Sequence, residues 1–393
     1  MRQDRIPAAW MRGGTSKGLF LLTDDLPLTP AIRDALLMRL IGSPDPYGKQ
    51  IDGLGGATSS TSKVVIVSAS SRPGHDVDYL FGQVPIDGGH IDWSGNCGNL
   101  TAAVGPFAIS RGLIRTPSDG IATVRIWQAN IGKTIVAYIP MQGGEVVEHG
   151  DFVLDGVAFS SAEIRLEFID PAGSGAAGLF PSGRTLEHLH TAAGSIPVTL
   201  ISAGNPMVLV DATVLGVDCS APQAVLNVQQ DLLARCEQIR IAGAMAMGLA
   251  TSVAEASARG HTPKLAIVDA PCAFRAASGH TFDTADTDLA CRVLSMGLFH
   301  HAIPGTAAIA IAAAVAVPGT LAAAHVRDVR PGPIRIGQPS GRTLVEVEAV
   351  RDGTAWKIGK AVMTRSARML MDGVVGVPSS MLRAASGQSR SSR

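Results

Sequence analysis

The chain has 393 residues, with 33 Lys+Arg against 33 Asp+Glu, so its formal charge is zero. Neutrality excludes a protein built to hold a nucleic-acid backbone or an acidic membrane surface, since both need a cationic excess. With 46% hydrophobic and only 17% charged residues the chain is no disordered segment, and its length suits two domains better than one core. Glycine is abundant, 44 residues, and aromatics make up only 4%. The core is therefore expected to consist of small and aliphatic side chains, with backbone segments in close approach.

The first third reads as strands. Ile6–Met11, Gly18–Leu22, Lys63–Val67, Val77–Val84 and Ile121–Gln128 are short β-rich runs, mostly bounded by Gly, Pro or Asp. Between them, Ala31–Ile41 has helical periodicity and is entered by Pro30. Leu100–Arg111 is a second apolar helical stretch, which Pro106 is expected to kink or divide. Ala172–Gly183, rich in Gly, Ala and Ser, reads as a loop or interdomain connection. Strands resume at Pro197–Ser202 and Met207–Asp211, followed by helices over Pro222–Ile241 and Ala242–Ala258 and a strand at Lys264–Val268. The alanine-rich run 306–316 suits a buried helix and is too short to span a bilayer. Arg342–Val350 and Ala355–Thr364 finish the sheet, and 384–393 reads as a disordered tail. This is an α+β chain of two similar-sized lobes, with no convincing internal sequence repeat.

Five cysteines (97, 219, 236, 272, 291) form no CxxC pair, which suggests neither a disulfide framework nor a zinc site. The N-terminus lacks the apolar stretch of a signal peptide, so a soluble cytoplasmic protein is expected. There is no Walker A motif and no GxGxxG. His188, His190, His300 and His301 lack metal-ligand spacing and read as surface or packing residues.

Three segments carry candidate chemistry. Gly14–Gly18 matches the G-x-S-x-G nucleophile elbow, but a strand follows where the elbow needs a helix. A turn between two strands, with amides exposed to an anion, fits better. Ser60–Lys63 matches S-x-x-K, yet no K-T-G accompanies it. Gly55–Ser62 instead forms a glycine and hydroxyl cradle suited to an anion, and a partly desolvated Lys63 at its end would have a lowered pKa. Ser94-Gly95-Asn96-Cys97-Gly98-Asn99 places a cysteine between glycines at a helix start. That position favours a thiolate, offers the Gly98 and Asn99 amides to a carboxylate, and leaves room for a ligand. Pro304-Gly305-Thr306, before the alanine-rich helix, is a second start of the same kind. If the lobes face each other, two helix dipoles converge on one anion.

Together these segments resemble the methylaconitate cis–trans isomerase (PrpF) family. The resemblance rests on Met11–Gly18, Asp52–Ala57 with Thr61-Ser62-Lys63, Asp76–Val84, Asp92–Leu100, Ile126–Asn130, Leu294–Gly297 and Ser366–Met371. It implies two diaminopimelate epimerase-like lobes, each a mostly antiparallel sheet or barrel around a central helix. The expected lobes are 1–185, with Lys63 and Cys97, and 186–383. It further implies a cofactor-independent and metal-free isomerase of small unsaturated tricarboxylates, chiefly 2-methyl-trans-aconitate to its cis isomer in propionate breakdown. Sister activities act on oxalomesaconate, aconitate or methylitaconate.

By the resemblance, Lys63 is the main acid/base and Cys97 is either a second one or a residue that shapes the site. Ser94, Asn96, Gly98, Asn99 and Gly305 are expected to contact substrate, with Ser16, Lys17, Thr306 and Arg368 as further carboxylate contacts. The partner is a small anion, and a homodimer is admissible. One departure stands out: Gln338-Pro339-Ser340-Gly341 replaces the family's His-Pro-Ser-Gly, which puts the substrate in question more than the reaction class. A thiol-dependent epimerase would need a second cysteine facing Cys97, and neither Cys272 nor Cys291 sits in a comparable helix start. A non-catalytic carboxylate-binding protein is the remaining rival.

Overall fold

A computed structural model describes residues 3–172, 178–192, 194–326, 332–353 and 355–379. The expected tail at 384–393 lies outside the described residues, as does part of the Ala172–Gly183 loop.

Eighteen strands join in one sheet, with a separate small hairpin beside it. In the first half, Gln3–Gly13 and Ser16–Leu22 form a hairpin. Ser16–Leu22 then pairs in parallel with Lys63–Ala69, which pairs antiparallel with Val77–Gln83, which pairs in parallel with Gly120–Gln128. The second half repeats this scheme. The hairpin is Gly194–Ala203 with Asn205–Asp211, and the latter is parallel to Lys264–Asp269. Lys264–Asp269 is antiparallel to Leu289–Ser295, which is parallel to Ile334–Gln338. Each half inserts one buried helix between its fourth and fifth strands, Thr101–Ser110 and Gly305–Val315. The duplication is one of topology, so the absence of a sequence repeat does not exclude it.

Gly341–Asp352 joins the halves. Its first residues pair with Ile334–Gln338, and its remainder pairs with Ala355–Arg365. The chain then returns to the first half: Ala355–Arg365 pairs with Ile164–Ile169, and Ala367–Pro378 pairs with Gln3–Gly13. Strand partners change between Ile164–Ile169, which pairs within the first half, and Glu187–Thr191, which pairs with Gly194–Ala203, but the second half does not keep the chain out to 383, because the last long hairpin completes the first half's sheet.

The helix Gly305–Val315 is buried along its whole length. Eleven consecutive small and aliphatic residues let the surrounding strands approach on every side, as the composition suggested. Thr101–Ser110 likewise runs unbroken through Pro106. The two helices expected over 222–258 are instead three, Gln223–Asn227, Gln230–Ala246 and Val253–Ala258. No helix among the described residues is long and apolar enough to cross a membrane.

Candidate active site

Lys63 is the first residue of its strand and only 4% exposed. Its ammonium donates to Gln83 Oε1 at 2.9 Å and lies 5.0 Å from the centre of the Phe81 ring. Gln83 is Lys63's partner across the ladder, and its own amide donates to the Ser62 carbonyl at 2.9 Å. Strand register thus fixes where the lysine head sits. Burial lowers its pKa from the ordinary lysine value, and interaction with the Cys97 side chain opposes that shift.

Cys97 is also buried. Its carbonyl accepts from the Thr101 amide at 3.1 Å and the Thr101 hydroxyl at 2.9 Å, which ties the cysteine loop to the first turn of the helix. The helix Gly305–Val315 meets this turn from the other half. A Cβ on Gly98 would lie 3.0 Å from the Thr306 nitrogen, and one on Gly305 would lie 3.1 Å from the Gly98 carbonyl carbon. Asn205 clasps the junction: its amide accepts from Asn96 N at 2.9 Å and donates to Asn96 O and to Thr306 Oγ1, both at 3.0 Å. The two helix starts therefore converge, as the sequence suggested.

Lys63, Asn96, Cys97, Gly98, Asn99, Gly305, Thr306 and Ser16 line one narrow space between the halves. It measures about 10 Å³, the room that roughly one water needs. A cavity of about 590 Å³ opens beside it, and Ser16 lines both. Lys17 and Arg368 line the larger cavity rather than the narrow space. Ser94 faces away: it is exposed, and both its amide and its hydroxyl donate to Asp92 Oδ1. Asn99 lines the space, but its side chain donates to Thr15 Oγ1 and accepts from Arg365 Nε, which leaves its backbone to face a ligand. Asn96 is the reverse case. Its side-chain oxygen and nitrogen are both buried, and neither has a hydrogen-bond partner. A buried, unpaired amide is costly, which marks it as a group awaiting a ligand.

Of the second half's contribution, sequence reasoning reached Gly305 and Thr306 and missed the rest. Lys264, His261, His300 and Ser295 complete the lining. Lys264 begins its strand after Thr262-Pro263, as Lys63 begins its own after Thr61-Ser62. That was the available signal, and it is weak as a pattern. His300, which the spacing marks as a surface or packing residue, instead lines the site, buried with its ring stacked on His301. Burial, then the charge of the neighbouring groups, holds both His261 and His300 well below the ordinary histidine range.

Among the described residues, no cysteine besides Cys97 lines the space, and Cys291 is buried in a strand, its thiol pushed up to about 12 by desolvation. The paired-cysteine arrangement is thus not formed. Gln338 does not line the space. Its Oε1 accepts from the amides of Ile303 and Ser340, which braces the turn ahead of the second helix. The Gly14-Thr15 turn lies between two strands, as expected, and is not a nucleophile elbow. Among the described residues no group of three or more His, Cys, Asp or Glu is placed to hold a metal ion.

The model of the family described as PrpF protein matches residues 3–378. A "2-methyl-aconitate isomerase" of Cupriavidus necator is 53% identical, covering 96% of this chain and 98% of that protein. One of the same name from Shewanella oneidensis is 51% identical with the same coverage. A crystal structure titled methylitaconate-delta-isomerase superposes with a TM-score of 0.76 at 36% identity, covering 97% of this chain and 98% of that one. The chain belongs to the PrpF family and has the diaminopimelate epimerase-like fold, and its relatives are isomerases.

Proposed function

We propose that the protein converts 2-methyl-trans-aconitate to 2-methyl-cis-aconitate by removing and returning an allylic proton. The observation that carries this reading is the Lys63 amine buried beside Cys97 at the convergence of two helix starts. The two relatives above 50% identity bear the name of that activity.

The proton to be removed lies on a CH₂ between a carboxylate and the C=C bond. Lys63 in its neutral form accepts it, and burial favours that form. The electron pair spreads over the former double bond onto carboxylate oxygens. The backbone around Gly98, Asn99, Gly305 and Thr306 presents the positive ends of two helices to that charge. Rotation about the weakened bond follows, and a proton returned by Lys63 or Cys97 fixes the new geometry. The narrow space must widen to admit a tricarboxylate, and the adjoining cavity beside Ser16 offers the approach.

Deuterium uptake from D₂O into 2-methyl-trans-aconitate tests the reading, with wild type compared against Lys63→Met. Exchange and isomerisation are expected in the wild type alone. Undiminished exchange in the variant would remove Lys63 from its role. Ligand-induced thermal stabilisation without any exchange in the wild type would point to a binding protein instead.

A further inference from the structure

Lys264 holds, in the second half, the place that Lys63 holds in the first. Its side chain is buried, and its ammonium contacts one residue: His261 O at 2.8 Å, His261 Nδ1 at 3.0 Å and, more distantly, Nε2. An ammonium has three donors, yet no carboxylate lines the space it faces. The titratable groups around it come from every neighbouring element. Lys63 comes from the first half's strand, Cys97 from the loop before the first helix, His261 from the turn before Lys264's own strand, and His300 from the turn before the second helix. Asp92 and Arg240 act on it from outside this lining, with opposite signs. The partnerless Asn96 amide shares the same space.

A buried cation without a counter-ion is costly, and two in one closed space repel each other. The cost falls if one of them releases its proton while the site is empty. We propose that Lys264 is a proton-linked carboxylate anchor: it is neutral in the empty cleft and takes up a proton together with one carboxylate of the substrate. This rests on the tricarboxylate reading given above.

Burial, and next the charge of Lys63, bring the Lys264 ammonium down to about 7. The two depressed histidines do not compete for that proton. A carboxylate in the space favours the ammonium again. Below about pH 7 Lys264 is already charged in the free protein, so binding takes up little. Above it the complex holds one proton more than the free components, and affinity falls by up to tenfold per pH unit until the bound form also titrates.

Calorimetric titration of the full chain with trans-aconitate, in two buffers of different ionisation enthalpy, reads this directly. The wild type is expected to take up close to one proton per ligand at pH 8 and much less at pH 6. Lys264→Arg, whose charge is permanent, binds without the uptake and keeps its affinity from pH 7 to 8. Lys264→Met also shows no uptake and binds about 10–100-fold more weakly at pH 6, the loss of a charged hydrogen bond. Binding without proton uptake in the wild type, or uptake retained in both variants, overturns the anchor and leaves the proposed reaction standing. No binding of any tricarboxylate overturns both.

Discussion

Gly98 and Gly305 touch backbone to backbone across the two halves, each at the start of the helix that fills its own half. A methyl group on either would sit 3.0–3.3 Å from main-chain atoms across the junction, so the two backbones would have to give by a few tenths of an ångström. The contact sets the spacing of the two helix starts, and so the spacing of the charges that the site presents to an anion.

Gly98→Ala and Gly305→Ala should therefore force the helix starts apart. Overpacking of this kind costs roughly 1–3 kcal/mol. Because the strain falls on the proposed anion site, kcat/KM should drop as well, by about 3–10-fold for a displacement of a few tenths of an ångström. Thermal unfolding measured beside initial rates checks this. Equal activity in either variant would show that the junction tolerates a wider spacing.

Lys63 separates stability from chemistry in another way. Its head is oriented by Gln83 and buried among groups that offer no carboxylate. Lys63→Met replaces a buried amine by a similar apolar volume, so stability should hold or rise, while exchange falls to background. Gln83→Leu leaves Lys63 in place without its acceptor. About a 10–100-fold loss in kcat is expected from misorientation, with KM little changed, and steady-state kinetics on both variants measures it.

Much of this was legible in the sequence, for physical reasons. The strands around Lys63 and Val77–Val84 alternate or run apolar between turn residues, and the Gly-Asn-Cys-Gly-Asn loop carries its chemistry in consecutive positions. Ala367–Pro378 was missed because its assignment depends on a partner roughly 360 residues away in sequence, and Ile164–Ile169 because it lies between two partners, one about 30 and one about 200 residues away. Lys264 was missed for a related reason. A lone lysine ahead of a short apolar strand is usually exposed, and only the repeated topology shows that it returns to the same space as Lys63.

Asn96 presents two buried polar atoms without partners. Asn96→Ala removes no side-chain hydrogen bond from the empty protein, so its melting temperature should stay level or rise, where the usual loss of a buried side chain would lower it. Tricarboxylate affinity should fall by about 10–100-fold, the worth of one hydrogen bond to a charged group. A lowered melting temperature with unchanged affinity would assign Asn96 to the scaffold alone. Asn205→Ala is the contrasting case: it strips three buried hydrogen bonds from the junction, so a stability loss of roughly 2–4 kcal/mol is expected.

The depressed lysines also make stability depend on pH. For Lys264 the folded value is about 7 and the ordinary value is 10.5. Between those limits the unfolded chain holds a proton that the folded protein lacks, so stability rises with pH across that window and is flat below it. Lys63 is lowered as well and contributes with the same sign below 10.5. The carboxylates give no opposing slope above pH 7, because they are ionised in both states, whereas the buried thiols of Cys219, Cys236 and Cys291, raised by desolvation, oppose the lysines as the pH nears the ordinary thiol value of 9.0. Denaturant unfolding compared between wild type and variants from pH 7 to 8 should therefore show a slope that Lys264→Met makes less positive, and that Lys63→Met and Lys264→Met together lower further. The single variant is also expected to be the more stable protein at pH 7, where the wild type bears the full cost of keeping Lys264 buried. A slope that neither substitution changes would show that the lysines hold the same protons in the folded and unfolded chains.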